Sequence, residues 1–93
     1  MAHLFEPLKL RDITLHNRIG IPPMCQYSAQ NGLASDWHFV YYGSRAVGGA
    51  ALMIFEATTV TPEGRISPGD LGLWDDAQRV GLSELHCSNS KIY

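Results

Sequence analysis

Six apolar residues in an unbroken row, Ala50-Ala51-Leu52-Met53-Ile54-Phe55, constrain this chain more than any other feature. A run of this kind, with no polar residue alternating into it, is the pattern of a strand buried on both faces in a parallel sheet. Gly48-Gly49 precedes it and Glu56-Ala57-Thr58 follows, so a carboxylate stands at its C-terminal end. A parallel strand needs a crossover connection from its neighbour, and the residues upstream provide one.

Ser35 or Asp36 can cap a helix running through Trp37 to Val47, and Gly48-Gly49 closes it by tolerating the left-handed conformation. Before that helix lies a short apolar strand, Arg18 to Ile21, which Pro22-Pro23 must end because proline donates no ladder hydrogen bond. Pro7 to Asn17 alternates apolar and polar residues on both sides of Arg11-Asp12 and reads as a β-hairpin. Met24 to Ala34 reads as a loop with a turn at Asn31-Gly32. Beyond a Pro/Gly-rich segment from Pro62 to Gly72, Asp75 or Asp76 can cap a second helix through Ala77, Val80 and Leu82. From Ser83 the apolar periodicity is lost, so residues 1–82 are expected to form the structured part and residues 83–93 an anomalous tail. The order is hairpin, strand, helix, strand, helix: an α/β chain built on a βαβ unit. Two strands leave edges to pair and faces to cover, so the chain reads as unfinished.

Composition narrows the function classes. With 45% hydrophobic and 17% charged residues among 93, the chain has a globular composition rather than a disordered one. Seven basic against nine acidic residues, without blocks, give no electrostatic reason to expect nucleic acid or an anionic membrane as partner. No apolar run reaches a membrane span, and Met1 to Glu6 lacks the pattern of a signal peptide, so a cytoplasmic protein acting on small molecules is expected. Cys25 and Cys87 have no metal-like spacing, and no metal site is expected.

In parallel α/β folds, ligands sit at the C-terminal ends of the strands, which directs attention to Pro22–Ser28 and Glu56–Thr59. The first carries a thiol (Cys25), an amide (Gln26) and a phenol (Tyr27); the second carries Glu56, exposed backbone at Ala57, and two hydroxyls. His38 and Trp37 read as packing and capping residues, because one histidine makes no metal site. Glu56, at a strand end, could serve as a base.

Several words in fixed order carry a resemblance: Leu4-Phe5-Glu6-Pro7, Asn17-Arg18-Ile19, Pro23-Met24-Cys25-Gln26-Tyr27-Ser28, Asp36-Trp37-His38, Gly43 to Gly49, Glu56-Ala57-Thr58, Pro62 to Ile66 and Asp70-Leu71-Gly72. Through about Leu82 the chain resembles the old yellow enzyme family, most closely its thermophilic-like ene-reductase branch, which carries cysteine after the Pro-Met pair. The resemblance implies the N-terminal portion of a (β/α)8 TIM barrel that holds FMN, is reduced by NADPH or NADH, and reduces an activated alkene such as an enone. It implies that Pro22, Pro23, Met24 and Cys25 lie along the flavin and that the Cys25 thiol tunes its potential. By the same token the N–H of Ala57 reaches the flavin edge, Tyr27 points into the substrate pocket, and Glu56 is a structural carboxylate bonding neighbouring backbone or an arginine, with Arg45 and Arg65 as candidates.

Full-length relatives are expected to be homo-oligomers, and the family's remaining flavin and substrate residues are expected from later strands. The alternative expectation is a non-catalytic truncated product with no independent activity. Longer flavin barrels of the dienoyl-CoA reductase kind, with an iron–sulfur cluster, stay open as another branch. Three positions depart from the family pattern: Pro22 replaces a small residue and removes one N–H, Tyr41 replaces a histidine, and Ala51 a glycine.

Overall fold

A computed structural model of the chain describes residues 3–90, with side chains through residue 86. Met1, Ala2, the last three positions of the expected tail and the side chain of Cys87 lie outside the described residues.

After a 3-10 turn at His3–Phe5, β1 (Leu8–Leu10) and β2 (Ile13–Leu15) form the expected antiparallel hairpin, with Leu8 opposite Leu15 and Leu10 opposite Ile13. Arg11 takes a positive φ of 54° in its turn. Asn17 then fixes where the chain leaves the hairpin. Its buried side chain donates through Nδ2 to Gly49 O at 2.7 Å and accepts from Ile19 N at 2.9 Å. One side chain thus holds the start of the next strand beside the end of the following helix.

β3 (Gly20–Ile21) and β4 (Leu52–Met53) are parallel neighbours, with Gly20 opposite Leu52 and Ile21 opposite Met53. Bonds from Ala51 N to Ile19 O (3.1 Å) and from Ile54 N to Ile21 O (3.0 Å) extend the pairing beyond both strands. The connection between them is α1 (Asp36–Val47), capped by Ser35. The Ser35 N–H donates to His38 Nδ1 at 2.9 Å, so the imidazole fills the place that glutamate or glutamine takes in a capping box. At the other end Gly48 stays right-handed and Gly49, at φ 103°, makes the left-handed exit.

The expectation that Ala50–Phe55 is buried on both faces is not met in this chain. Ala50 is buried and Ala51, Met53 and Phe55 half-buried, whereas Leu52 and Ile54 on the opposite face are 43% and 51% exposed. The cause is layering: the helices cover one face, and no described element covers the other. On the covered side, Tyr41, Tyr42 and Leu85 form the core, joined by Phe39, Met53 and Phe55. Tyr42 stands edge-on to Tyr41 with centroids 5.0 Å apart and lies 4.4 Å from the Phe55 ring.

Leu85 comes from α2 (Asp76–Ser90), and the loss of periodicity at Ser83 does not end this helix. Leu85 is fully buried against α1, which is the packing that carries the helix on. At its start, Gln78 Oε1 accepts from Trp74 N (2.7 Å) and Asp75 N (3.2 Å).

A further strand pair was not legible in the sequence: β5 (Thr58–Thr59) runs parallel to β6 (Leu71–Gly72). Two-residue strands leave no alternation to read, yet Leu71 is fully buried. The Asn31-Gly32 turn is present, with both residues at positive φ (51° and 74°) and a bridge between Gln30 and Leu33. A Cβ on Gly32 would also fall 2.4 Å from Gln78 Nε2. The architecture is α/β in separate two-stranded pairs, and no barrel closes among the described residues. No described helix is long and apolar enough to cross a membrane.

Candidate functional site

Because β3 and β4 are parallel and adjacent, the segments leaving their C-terminal ends emerge on the same side. Pro22–Ser28 follows β3, and Glu56–Thr58 follows β4, so Cys25, Tyr27 and Ala57 belong to one rim.

Glu56 joins the two segments. It is 3% exposed, and its carboxylate faces three groups from two other parts of the chain. Oε1 accepts from the Tyr42 hydroxyl at 2.9 Å, and Oε2 accepts from Gln26 N at 3.3 Å. His38 Nε2 lies 3.5 Å from Oε2, longer than a good hydrogen bond but close enough for electrostatic attraction. Since Nδ1 of His38 accepts the Ser35 N–H, the ring proton is assigned to Nε2, the nitrogen facing the carboxylate. The Tyr42 oxygen in turn accepts from Glu56 N at 3.0 Å. Burial, then the Glu56 carboxylate, push the Tyr42 phenol well above its ordinary range, so it stays a donor.

A buried carboxylate needs such partners, because leaving it unpaired in a low-dielectric interior is strongly unfavourable. The expected contact with backbone is present. The expected arginines are not its partners. Arg45 instead lies 4.1 Å over the Tyr41 ring and donates to Ser44 Oγ, and Arg65 donates to Pro62 O. Both are anchored locally, away from Glu56. His38 caps α1 and is buried, as its reading as a packing and capping residue expects, but its approach to Glu56 and that of Tyr42 were not legible in the sequence; the two stand one helical turn apart on α1, a spacing that places both on the face toward the strand ends.

The first rim segment is held by its own side chains. Gln26 donates through Nε2 to Met24 O (2.9 Å) and accepts at Oε1 from Trp37 Nε1 (2.9 Å), while Ser28 Oγ donates to Gln26 O (2.9 Å). Trp37 therefore does more than pack. Pro22, Pro23, Met24 and Ala57 are exposed, Cys25 is a half-buried free thiol, and Tyr27 is 65% exposed with φ 53°. The N–H groups of Met24, Cys25 and Ala57 meet no acceptor among the described residues. A rim of unpaired N–H donors beside a thiol and a phenol suits a ligand rich in acceptor atoms.

A third segment, part of the Pro/Gly-rich stretch from Pro62 to Gly72, closes against this rim. Ala29 N donates to Gly69 O at 3.0 Å. Next to Gly69, the buried Asp70 carboxylate accepts from Ile66 N (2.7 Å), Ser67 N (3.2 Å) and Ser67 Oγ (2.9 Å). Burial alone would raise the Asp70 pKa, but these three bonds and the charge of Arg65 outweigh it and hold the carboxyl below its ordinary value.

Residues 3–88 match the family model of the NADH:flavin oxidoreductase / NADH oxidase family. The chain is 54% identical over 87 residues to an NADPH dehydrogenase of Listeria monocytogenes, across 91% of this chain and 26% of the relative, and equally identical to that of Listeria innocua. Among solved structures it resembles morphinone reductase (TM-score 0.86, 31% identity, 96% of this chain and 23% of the other). It likewise resembles the old yellow enzyme from Trypanosoma cruzi (TM-score 0.86, 32% identity, 96% of this chain and 24% of the other). The chain spans about a quarter of the length of the curated relatives it matches. On this match, and with a βαβ rim built as described, the chain belongs to the NADH:flavin oxidoreductase / NADH oxidase family.

Proposed function

We propose that this chain supplies part of the flavin-facing rim of an FMN-dependent oxidoreductase that draws on NADPH or NADH and reduces a small activated alkene such as an enone. In this reading it forms the first two strands and helices of a (β/α)8 barrel, whose sites lie at the C-terminal ends of the strands. The observation that carries it is the joining of Pro22–Ser28 to Glu56–Thr58 through the buried Glu56, at the shared C-terminal end of β3 and β4.

The residues fit a flavin by the chemistry of their donors. The N–H groups of Met24, Cys25 and Ala57 are accessible to heterocycle acceptors, and Pro23 and Met24 offer flat apolar contact. Pro22 lacks an N–H and contributes only its carbonyl and ring. The Cys25 thiol acts as a weak donor that adjusts the electronics of the cofactor, and the Tyr27 hydroxyl binds the substrate's polar group. Hydride-transfer chemistry is that of bound FMN; the protein supplies orientation and electrostatics.

The test uses the full-length, FMN-loaded protein. Cys25→Ala is expected to keep its flavin with a shifted reduction potential, measured by spectroelectrochemical titration. Tyr27→Phe is expected to keep the potential and change KM or kcat for an enone. Loss of all flavin in a folded Cys25→Ala protein would overturn this division of roles.

A further inference from the structure

Tyr27 is held in an uncommon conformation, and the structure shows what holds it. Its φ of 53° is left-handed, a region that a bulky non-glycine residue enters only when its surroundings impose it. The surrounding element is the turn Ser67-Pro68-Gly69-Asp70, closed by Asp70 N donating to Ser67 O at 3.2 Å. Gly69 comes so close that a Cβ there would lie 2.6, 2.7 and 2.9 Å from the Tyr27 carbonyl oxygen, carbonyl carbon and Cα. These are backbone atoms, which cannot swing aside as a side chain would.

The Ala29 N–H donating to Gly69 O fastens the far side of the same contact. Gly69 itself does not have a positive φ, so glycine is needed here for space rather than for backbone conformation. The turn is also well tied: Asp70 is 3% exposed and takes two hydrogen bonds from Ser67 within it and one from Ile66 just before it, and the fully buried Leu71 continues it into β6. Through β6 the turn is hydrogen-bonded to β5, one residue beyond Ala57.

We infer that the Ser67–Asp70 turn is the prop that sets the Tyr27 backbone, with Gly69 a positioning residue acting on the substrate pocket through Tyr27. The consequence for substrate rests on the reading of Tyr27 given above; the mechanical part does not. The apolar face of Leu52 and Ile54 carries no comparable inference, since nothing in the structure shows what covers it.

The test compares Gly69→Ala and Ser67→Ala with the parent in the full-length, flavin-loaded protein. Ser67→Ala removes one hydrogen bond to Asp70 without a clash and serves if Gly69→Ala does not fold. Limited chymotrypsin digestion, read by mass spectrometry at the Tyr27–Ser28 bond, is expected to run several times faster in either variant, with flavin content unchanged.

KM for an enone is expected to rise about tenfold in Gly69→Ala, in keeping with the effect of small displacements remote from the reacting atoms. In a Tyr27→Phe background the same substitution is expected to add little, because both changes act through one group. Unchanged cleavage in the folded variants overturns the inference. Faster cleavage with KM indifferent to both Gly69→Ala and Tyr27→Phe upholds the prop and removes Tyr27 from the substrate reading.

Discussion

Tyr41 and Tyr42 are adjacent, both buried, and opposite in what their hydroxyls do. Tyr42 donates to Glu56 Oε1 at 2.9 Å and accepts from Glu56 N at 3.0 Å. The Tyr41 hydroxyl is buried without a hydrogen-bond partner among the described residues. Phenylalanine at either position keeps the ring, and with it the edge-on contact at 5.0 Å and, at position 41, the guanidinium of Arg45 4.1 Å from the ring centroid. The two substitutions therefore differ almost only in the oxygen removed.

At position 42 the loss is a hydrogen bond to a charged acceptor, about 1.5–3 kcal/mol, plus a buried N–H left without a partner, about 1–3 kcal/mol. Allowing for local relaxation, Tyr42→Phe is expected to cost about 2–4 kcal/mol. At position 41 no bond is lost and the cost of burying an unpaired hydroxyl disappears, so Tyr41→Phe is expected to be neutral or stabilising by about 1 kcal/mol. Equilibrium urea denaturation followed by far-ultraviolet circular dichroism measures both on the same protein, as a shift in midpoint at constant slope. Equal losses at the two positions would refute the assignment of the Glu56 network as the anchor of this core.

Two further outcomes are expected. The Asp70 carboxyl is held below its ordinary value, so its contribution to stability is fully present above the unfolded value of about 3.9 and is lost as pH falls below that through the lowered folded value. Asp70→Asn should flatten that part of the acid limb in a stability–pH profile, and an unchanged limb would count against the role given to the turn. The 93-residue chain alone is expected neither to bind FMN tightly nor to oxidise NADPH, because among the described residues nothing covers the face carrying Leu52 and Ile54 and β4 has one neighbour. A soluble yellow protein with enone-dependent NADPH consumption would refute this.

What the sequence made legible is what depends on long patterns. The hairpin, α1, the parallel pairing of β3 with β4 and the Asn31-Gly32 turn follow from alternation, capping residues, an apolar run and a turn dipeptide, all of which act locally. The rim positions of Cys25, Tyr27 and Ala57 follow from the same pattern, since each comes just after a strand. β5 and β6 were not legible, because pairs of residues as short as Thr58-Thr59 and Leu71-Gly72 carry no period and pair only through tertiary contact. The continuation of α2 past Ser83 was not legible for a related reason: among the described side chains beyond Ser83, Leu85, packing on Tyr41 and Tyr42, supplies the burial that a repeating stripe supplies elsewhere. Arg45 and Arg65, the candidate partners for Glu56 that the resemblance implies, do not reach it, whereas the side chains that do, His38 and Tyr42, are set by helical spacing.

The two buried carboxylates divide the work of holding the rim. Glu56 binds upward from the core, tying Gln26 N to the α1 face through His38 and Tyr42. Asp70 binds within a surface turn and stiffens it, so that Gly69 can press on Tyr27 from outside. Neither carboxylate is among the exposed groups of the rim, and each is neutralised by donors fixed in the fold. Bonded to donors on neighbouring segments, each carboxylate is well placed to keep nearby backbone from moving. What these anchors leave unpaired among the described residues, the N–H groups of Met24, Cys25 and Ala57 with the Cys25 thiol and the Tyr27 hydroxyl, is what the proposed function draws on.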